Sequence, residues 1–210
     1  ATKIAFLPGE AYCDPYLLGC FFGRCAKLQG ADFRQGVEVK NVMMENNTAT
    51  AVATVRETIY ADTIIIAAGA WSHLLARQAG DAVPLETERG YNTTLPVDAF
   101  DVKRQLIFSG HGFVITPLST GLRIGGAVEL AGLKRPPNFA RSRAMLEKAR
   151  RFLPGLRTEG GREWMGYRPS LPDSLPVIGR SRAADNVLYA FGHGHLGLTQ
   201  AAATGRLICD

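Results

Sequence analysis

The chain has 210 residues, 46% of them hydrophobic and 20% charged, a composition ordinary for a soluble globular protein of one large or two small domains. No apolar run approaches the roughly 20 residues of a bilayer-spanning helix, and no signal peptide opens the chain, which excludes an integral helical membrane protein and a secreted precursor. The net charge of +5 and the four cysteines, Cys13, Cys20, Cys25 and Cys209, which form no C-x-x-C and have no histidine at metal-ligand spacing, exclude a zinc ribbon and predict reduced, buried thiols.

In chain order, Asp14-Pro15 opens a helix with an N-cap followed by proline at the first helical position. Leu17, Leu18, Phe21, Phe22, Cys25 and Leu28 form its apolar face, and Gly30 ends it. Residues 31–34 and 36–45 are strand-like, Asn46-Asn47 is a turn, and 49–56 with 58–60 is the hairpin partner. Ile64-Ile65-Ile66-Ala67-Ala68-Gly69 is a continuous apolar run, predicted as a central strand buried on both faces, and a short helix over 71–78 follows. Residues 85–128 predict an antiparallel sheet of short strands. A basic amphipathic helix comes next, with Met145, Ala149 and Phe152 inward and Arg141, Arg143, Lys148, Arg150 and Arg151 outward. That face is either merely solvated or faces an anionic membrane surface or partner; the lack of interleaved aromatics argues against nucleic acid. Trp164–Arg168 is a further strand, Val187–Phe191 a buried one, and a last helix starts at His195 or Leu196. The order predicts an α+β fold. Residues 1–82 and 169–210 form an α/β part, and 83–168 an inserted, mostly antiparallel part.

Three segments carry chemistry. Gly192-His193-Gly194-His195-Leu196-Gly197, followed by Leu198, is a G-x-G-x-x-G between strand and helix, where the helix N–H groups favour an anion or a developing negative charge. No second strand and no ribose-binding acid follow before Asp210, which argues against direct use as a nicotinamide-dinucleotide fingerprint. Arg168, held out of helical geometry by Pro169 and followed by a proline-stiffened stretch to Gly179, is a carboxylate clamp or a surface ion pair. Small residues after Ile66 permit a ligand to approach the strand's carboxyl end.

In this order and spacing, Asp14-Pro15-Tyr16-Leu17, Ile66–Ser72, Arg89-Gly90-Tyr91, Arg168-Pro169 with Pro172-Asp173 and Pro176–Gly179, and Gly192–Gly197 with Thr204-Gly205 resemble the carboxyl-terminal half of the D-amino-acid oxidase superfamily. Bacterial D-amino-acid dehydrogenases are the nearer relatives, glycine and sarcosine oxidases the more distant. The resemblance implies an FAD-dependent enzyme of amino-acid catabolism that oxidises the CH–NH2 or CH–NHR bond of a small amino acid by hydride transfer, giving an imine and then a keto acid and ammonia. It implies Arg168 as the substrate carboxylate clamp and Tyr91 as a wall of the pocket. For the cofactor it implies Val39, Ala67, Ala68, Gly69, Gly166 and the run Gly192, His193, Gly194, His195, Leu196, Gly197 and Leu198, with no metal. His193 and His195 are either field-tuning or structural, and no residue stands out as a general base. The family's amino-terminal fingerprint is not in this sequence, so FAD binding is expected to be weak or absent in this chain, and Ala1 and Asp210 read as truncations or a processed product. A non-catalytic fold remnant is the alternative. Oxygen and a membrane quinone both stay open as electron acceptors, and the expected location is cytoplasmic, peripheral to the inner face of the cell membrane.

Overall fold

Helix α1 (Pro15–Leu28) begins where its sequence predicts: Asp14 Oδ1 accepts from the N–H groups of Tyr16 and Leu17 at 3.0 and 3.2 Å, with proline at the first position. The computed structural model describes residues 12–210. By internal contacts these divide into two compact units, one of residues up to Phe33 with Asn92–Gly126 and Ser142–Glu163, the other of Arg34–Tyr91, Ala127–Arg141 and Trp164–Asp210.

In the first unit, Asp14 Oδ2 also accepts from Ser119 Oγ at 2.6 Å, and this bond above all holds the carboxyl below its ordinary pKa. No residue of α1 is buried, and Phe21 and Phe22 keep more than half their surface. The expected buried thiols are therefore a miss: all four cysteines are exposed, three of them on or beside this uncovered helix. The mostly basic α3 (Ala140–Phe152) turns Ser142, Met145 and Ala149 inward as its period requires. Phe152 lies 4.8 Å from Phe108 and 5.9 Å from Phe113, ring centre to ring centre.

The second unit holds two three-stranded sheets. In one, β1 (Val39–Glu45), β2 (Thr48–Thr54) and β3 (Thr58–Tyr60) pair antiparallel in sequence order. Asn46 and Asn47 turn the first hairpin with φ of 46° and 63°, the left-handed pair that a two-residue hairpin needs. Residues 31–34, expected as a strand, form none: Gly30 and Gly36, at φ of 91° and 69°, bend the chain at both ends of the run. In the other sheet, β11 (Val187–Phe191) lies between antiparallel β10 (Val177–Arg180) and parallel β4 (Ile64–Ile66). Among the described residues β4 is thus an edge strand, not the central one its apolar run predicts. Ile64 and Ile66 are buried beneath α2 (Ser72–Gln78), while Ile65 is 51% exposed, because only one face of the run is covered. Tyr189, Phe191, Val187, Val42 and Leu85 complete this core. Asn186 ties the two sheets, donating to Ala49 O and Asp62 O and accepting from Ala49 N, all within 2.8 Å.

The predicted antiparallel sheet has five strands in the order β6 (Leu106–Phe108), β7 (Phe113–Leu118), β8 (Gly121–Leu130), β5 (Glu86–Leu95), β9 (Arg162–Ser170). The last helix, α4 (Gly197–Cys209), follows the glycine loop.

Candidate active site

Arg168 stands on β9, and its guanidinium lies flat over the backbone of Gly90 on β5. A methyl group at Gly90 would come within 2.4 Å of Cζ and Nη2 and 2.7 Å of Nη1. Its Nη1 is buried with no hydrogen-bond partner, and burial lowers the group's pKa against the opposing charge of Glu88. A guanidinium remains protonated at neutral pH even so, so this is a partly desolvated cation with a free donor. A carboxylate would satisfy it in the forked geometry that arginine favours.

The next residue carries the link to the glycine loop. Pro169 O accepts from Gly194 N–H at 2.7 Å, so the loop is pinned directly beside Arg168. Gly192 and Gly194 adopt φ of 88° and 55°, conformations that disfavour any side chain. No side chain caps the start of α4 at Gly197, which leaves the first-turn N–H groups of Gly197 and Leu198 for solvent or a ligand. Leu196 and Leu198 are exposed there, as is His195. His193 points inward: its ring Nε2 lies 2.9 Å from Thr204 Oγ1, and burial pushes its pKa down, so it is a neutral structural hydrogen-bonding group at pH 7.

The predicted cofactor residues of the amino-terminal segment meet at a groove of about 1060 Å³. Val39, Ile65, Ala67 and Ala68 line it, with Trp71 and Leu74 from the turn into α2. Gly69, at φ of 55°, opens that turn, with empty space where a Cβ would stand. The walls are apolar and the side chains at Ala67 and Ala68 small, so a flat aromatic group fits the lining.

Two expected site residues have other surroundings. Tyr91 is 1% exposed and faces the interior, not a pocket. Its hydroxyl donates to Glu129 Oε2 at 2.5 Å and accepts from Asn138 N at 3.0 Å, and its ring meets Phe139 edge-on. Gly166, expected against a cofactor, is covered by the indole of Trp164 from its own strand.

Sequence reasoning missed the support behind β5. Arg89, with no exposed surface, donates from Nε to Gly132 O at 2.7 Å and from Nη1 to Pro136 O at 3.3 Å, and lies 3.8 Å from Glu129 Oε2. The Tyr91 hydroxyl, with Arg141 and Arg89, holds the Glu129 carboxyl below its ordinary pKa against the cost of burial. The signal was the alternation Thr87, Arg89, Tyr91, Thr93, a polar face at period two that the structure buries entirely. Nothing in the sequence pointed to Glu129, 38 residues from Tyr91.

An antiparallel sheet presenting an arginine, joined to a glycine loop at the head of a helix and to a parallel strand with a groove, is the architecture of FAD-dependent oxidoreductases of amino acids and related amines. The chain belongs to the family described as DAO, FAD dependent oxidoreductase, whose model matches residues 2–210. It is 35% identical over 208 residues to a D-amino acid dehydrogenase of Paramagnetospirillum magneticum, covering 98% of this chain and 49% of that protein. It is 40% identical over 174 residues to a D-amino-acid oxidase of Bradyrhizobium diazoefficiens, covering 80% and 41%. Among solved structures, L-proline dehydrogenase from P. horikoshii superposes with a TM-score of 0.78 at 26% identity, over 92% of this chain and 54% of that one. The chain spans about half the length of the curated relatives it matches.

Proposed function

We propose that this chain is the substrate-binding and flavin-facing part of an oxidoreductase that converts the CH–NH2 or CH–NHR bond of a small amino acid to an imine, which water takes on to a keto acid and ammonia. The observation that carries the reading is the hydrogen bond from Gly194 N–H to Pro169 O: it fixes the candidate ring-binding loop next to the candidate carboxylate clamp, as oxidation at the carbon between carboxylate and amine requires. FAD, when bound, supplies the hydride acceptor. Val39, Ala67, Ala68 and Gly69 would hold one part of it and residues 192–198 another, the free N–H groups of α4 facing whichever edge gains negative charge. Arg168 orients the substrate by its carboxylate, and Tyr91 acts indirectly, by fixing Glu129 and Arg89 beneath the strand that seats Arg168.

The gene product expressed with any coding sequence that precedes it in frame tests this. It should retain flavin absorbance through desalting and reduce a dye in the presence of an amino acid. Arg168→Met should then raise KM for amino acids on the order of 100-fold or more, the loss of a charge-assisted bidentate pair, with kcat falling less. Equal handling of amino acids by the variant would overturn the clamp. A fold remnant without bound cofactor is the second reading, favoured by the absence from these residues of a second G-x-G-x-x-G; flavin-free product without dye reduction would select it.

A further inference from the structure

Trp164, Gly166 and Arg168 occupy alternate positions of β9 and so share one face of the strand. The Trp164 indole is folded along the strand over Gly166, where a methyl group would come within 2.1 Å of Cη2, and so lies on the side toward Arg168. Neither Gly166 nor Gly90 has a positive φ. What the missing Cβ provides at each is therefore space: Gly166 seats the indole and Gly90 seats the guanidinium. Trp164 keeps 59% of its surface exposed, an apolar plane left uncovered beside a cation with a free donor. Glu88, two residues from Gly90 on the same face of β5, places a negative charge near Arg168 and disfavours a second carboxylate on the ligand.

We propose that Trp164, Gly166 and Arg168 form a recognition strip for a carboxylate bearing an apolar substituent, with the carboxylate on Arg168 and the substituent against the Trp164 indole. The proposal rests on the reading of Arg168 as the carboxylate clamp and adds the class of side chain accepted. Trp164 is then a specificity-determining residue and Gly90 a positioning residue. A methyl at Gly90 is compatible with its backbone and acts only by pushing the guanidinium aside.

Titration of the isotope-labelled chain with cyclohexanecarboxylate and with acetate, followed by the NMR signals of the Arg168 Nε–H and the Trp164 indole N–H, tests the strip. Both probes should shift the arginine signal, and only cyclohexanecarboxylate the indole. The ring should strengthen binding about 10-fold over acetate, the effect of covering part of one apolar ring. Trp164→Ala should bring the two probes within about 2-fold of each other and Trp164→Phe should retain the preference, whereas Gly90→Ala should weaken both probes about equally. An unmoved indole at saturating cyclohexanecarboxylate overturns the proposal in the unaltered chain, whether or not Trp164→Ala folds. Survival of the preference in a folded Trp164→Ala overturns it as well. Failure of the underlying clamp looks different: Arg168→Met would leave the affinity for both probes unchanged.

Discussion

His193 illustrates how burial decides the role of a titratable side chain. Inside a glycine loop its ring reads as a candidate for tuning charge, yet it is turned toward Thr204 and held neutral. The direction of the shift fixes a pH dependence. Burial lowers the folded pKa below the ordinary 6.5, so the unfolded chain binds the proton more readily. The stability contributed by the neutral ring is present above pH 6.5 and is lost as pH falls through the lowered value. The carboxyls with shifted values, Asp14, Asp81 and Glu129, are all lowered and titrate further into acid. Thermal melts between pH 7.5 and 5 should therefore show a falling Tm that His193→Gln flattens; an unchanged slope in the variant would remove His193 as its source. Arg168 and Gly90 make the converse point: a charge is useful where a neighbour lacks a side chain.

At the scale of elements, α3 presents Arg143, Lys148, Arg150 and Arg151 to solvent while Met145 and Ala149 hold it in place. Two of these cations have partial compensation on the surface, Arg143 from Glu163 and Arg150 from Glu147, at 3.5 and 3.6 Å, and exposed pairs of this kind are weak. The remaining positive field suits an anionic surface. Among the described residues no helix is long and apolar enough to cross a membrane, so any contact through α3 would be peripheral. Co-sedimentation with vesicles containing 30% anionic lipid should exceed that with neutral vesicles several-fold at low salt, and decline as ionic strength rises, at about 1 kcal/mol per basic residue near the surface. Replacing Arg143, Lys148, Arg150 and Arg151 together by Gln should abolish the difference; binding that ignores both salt and these changes would assign the face to solvent alone. The same scale explains a failed expectation. The Ile64–Ile66 run is apolar on both faces, but burial depends on what covers each face, and α2 covers one.

For the molecule as a whole, family membership and cofactor retention are separate matters. The chain carries the groove and the ring-facing loop, but its single G-x-G-x-x-G is tied by Gly194 to Pro169. The pyrophosphate of a dinucleotide is usually held by its own glycine loop and helix end, and much of the affinity comes from there. The 210-residue chain should therefore elute from a desalting column without the visible absorbance of bound FAD, and titration should give a dissociation constant about 100-fold or more weaker than in a product that carries a second such loop. Stoichiometric flavin retained by these residues would show that the groove and α4 suffice.

Local chemistry made much of this legible. Asp14-Pro15 set the start of α1, Asn46-Asn47 the hairpin, periodicity the inner face of α3, and the glycine loop with Arg168-Pro169 the family. These depend on propensities and spacings that act within a few residues of one another. What lay beyond them was every fact that needs two distant segments in contact: the seat of Arg168 on Gly90, the burial of Tyr91 against Glu129, the exposure of Ile65, and the bond that places the loop beside the clamp. The sequence by itself determined which chemical groups this protein has and on which elements they stand. Only the tertiary structure decided which of them face a ligand and which face one another, because burial and hydrogen-bond partnership are properties of pairs and not of residues.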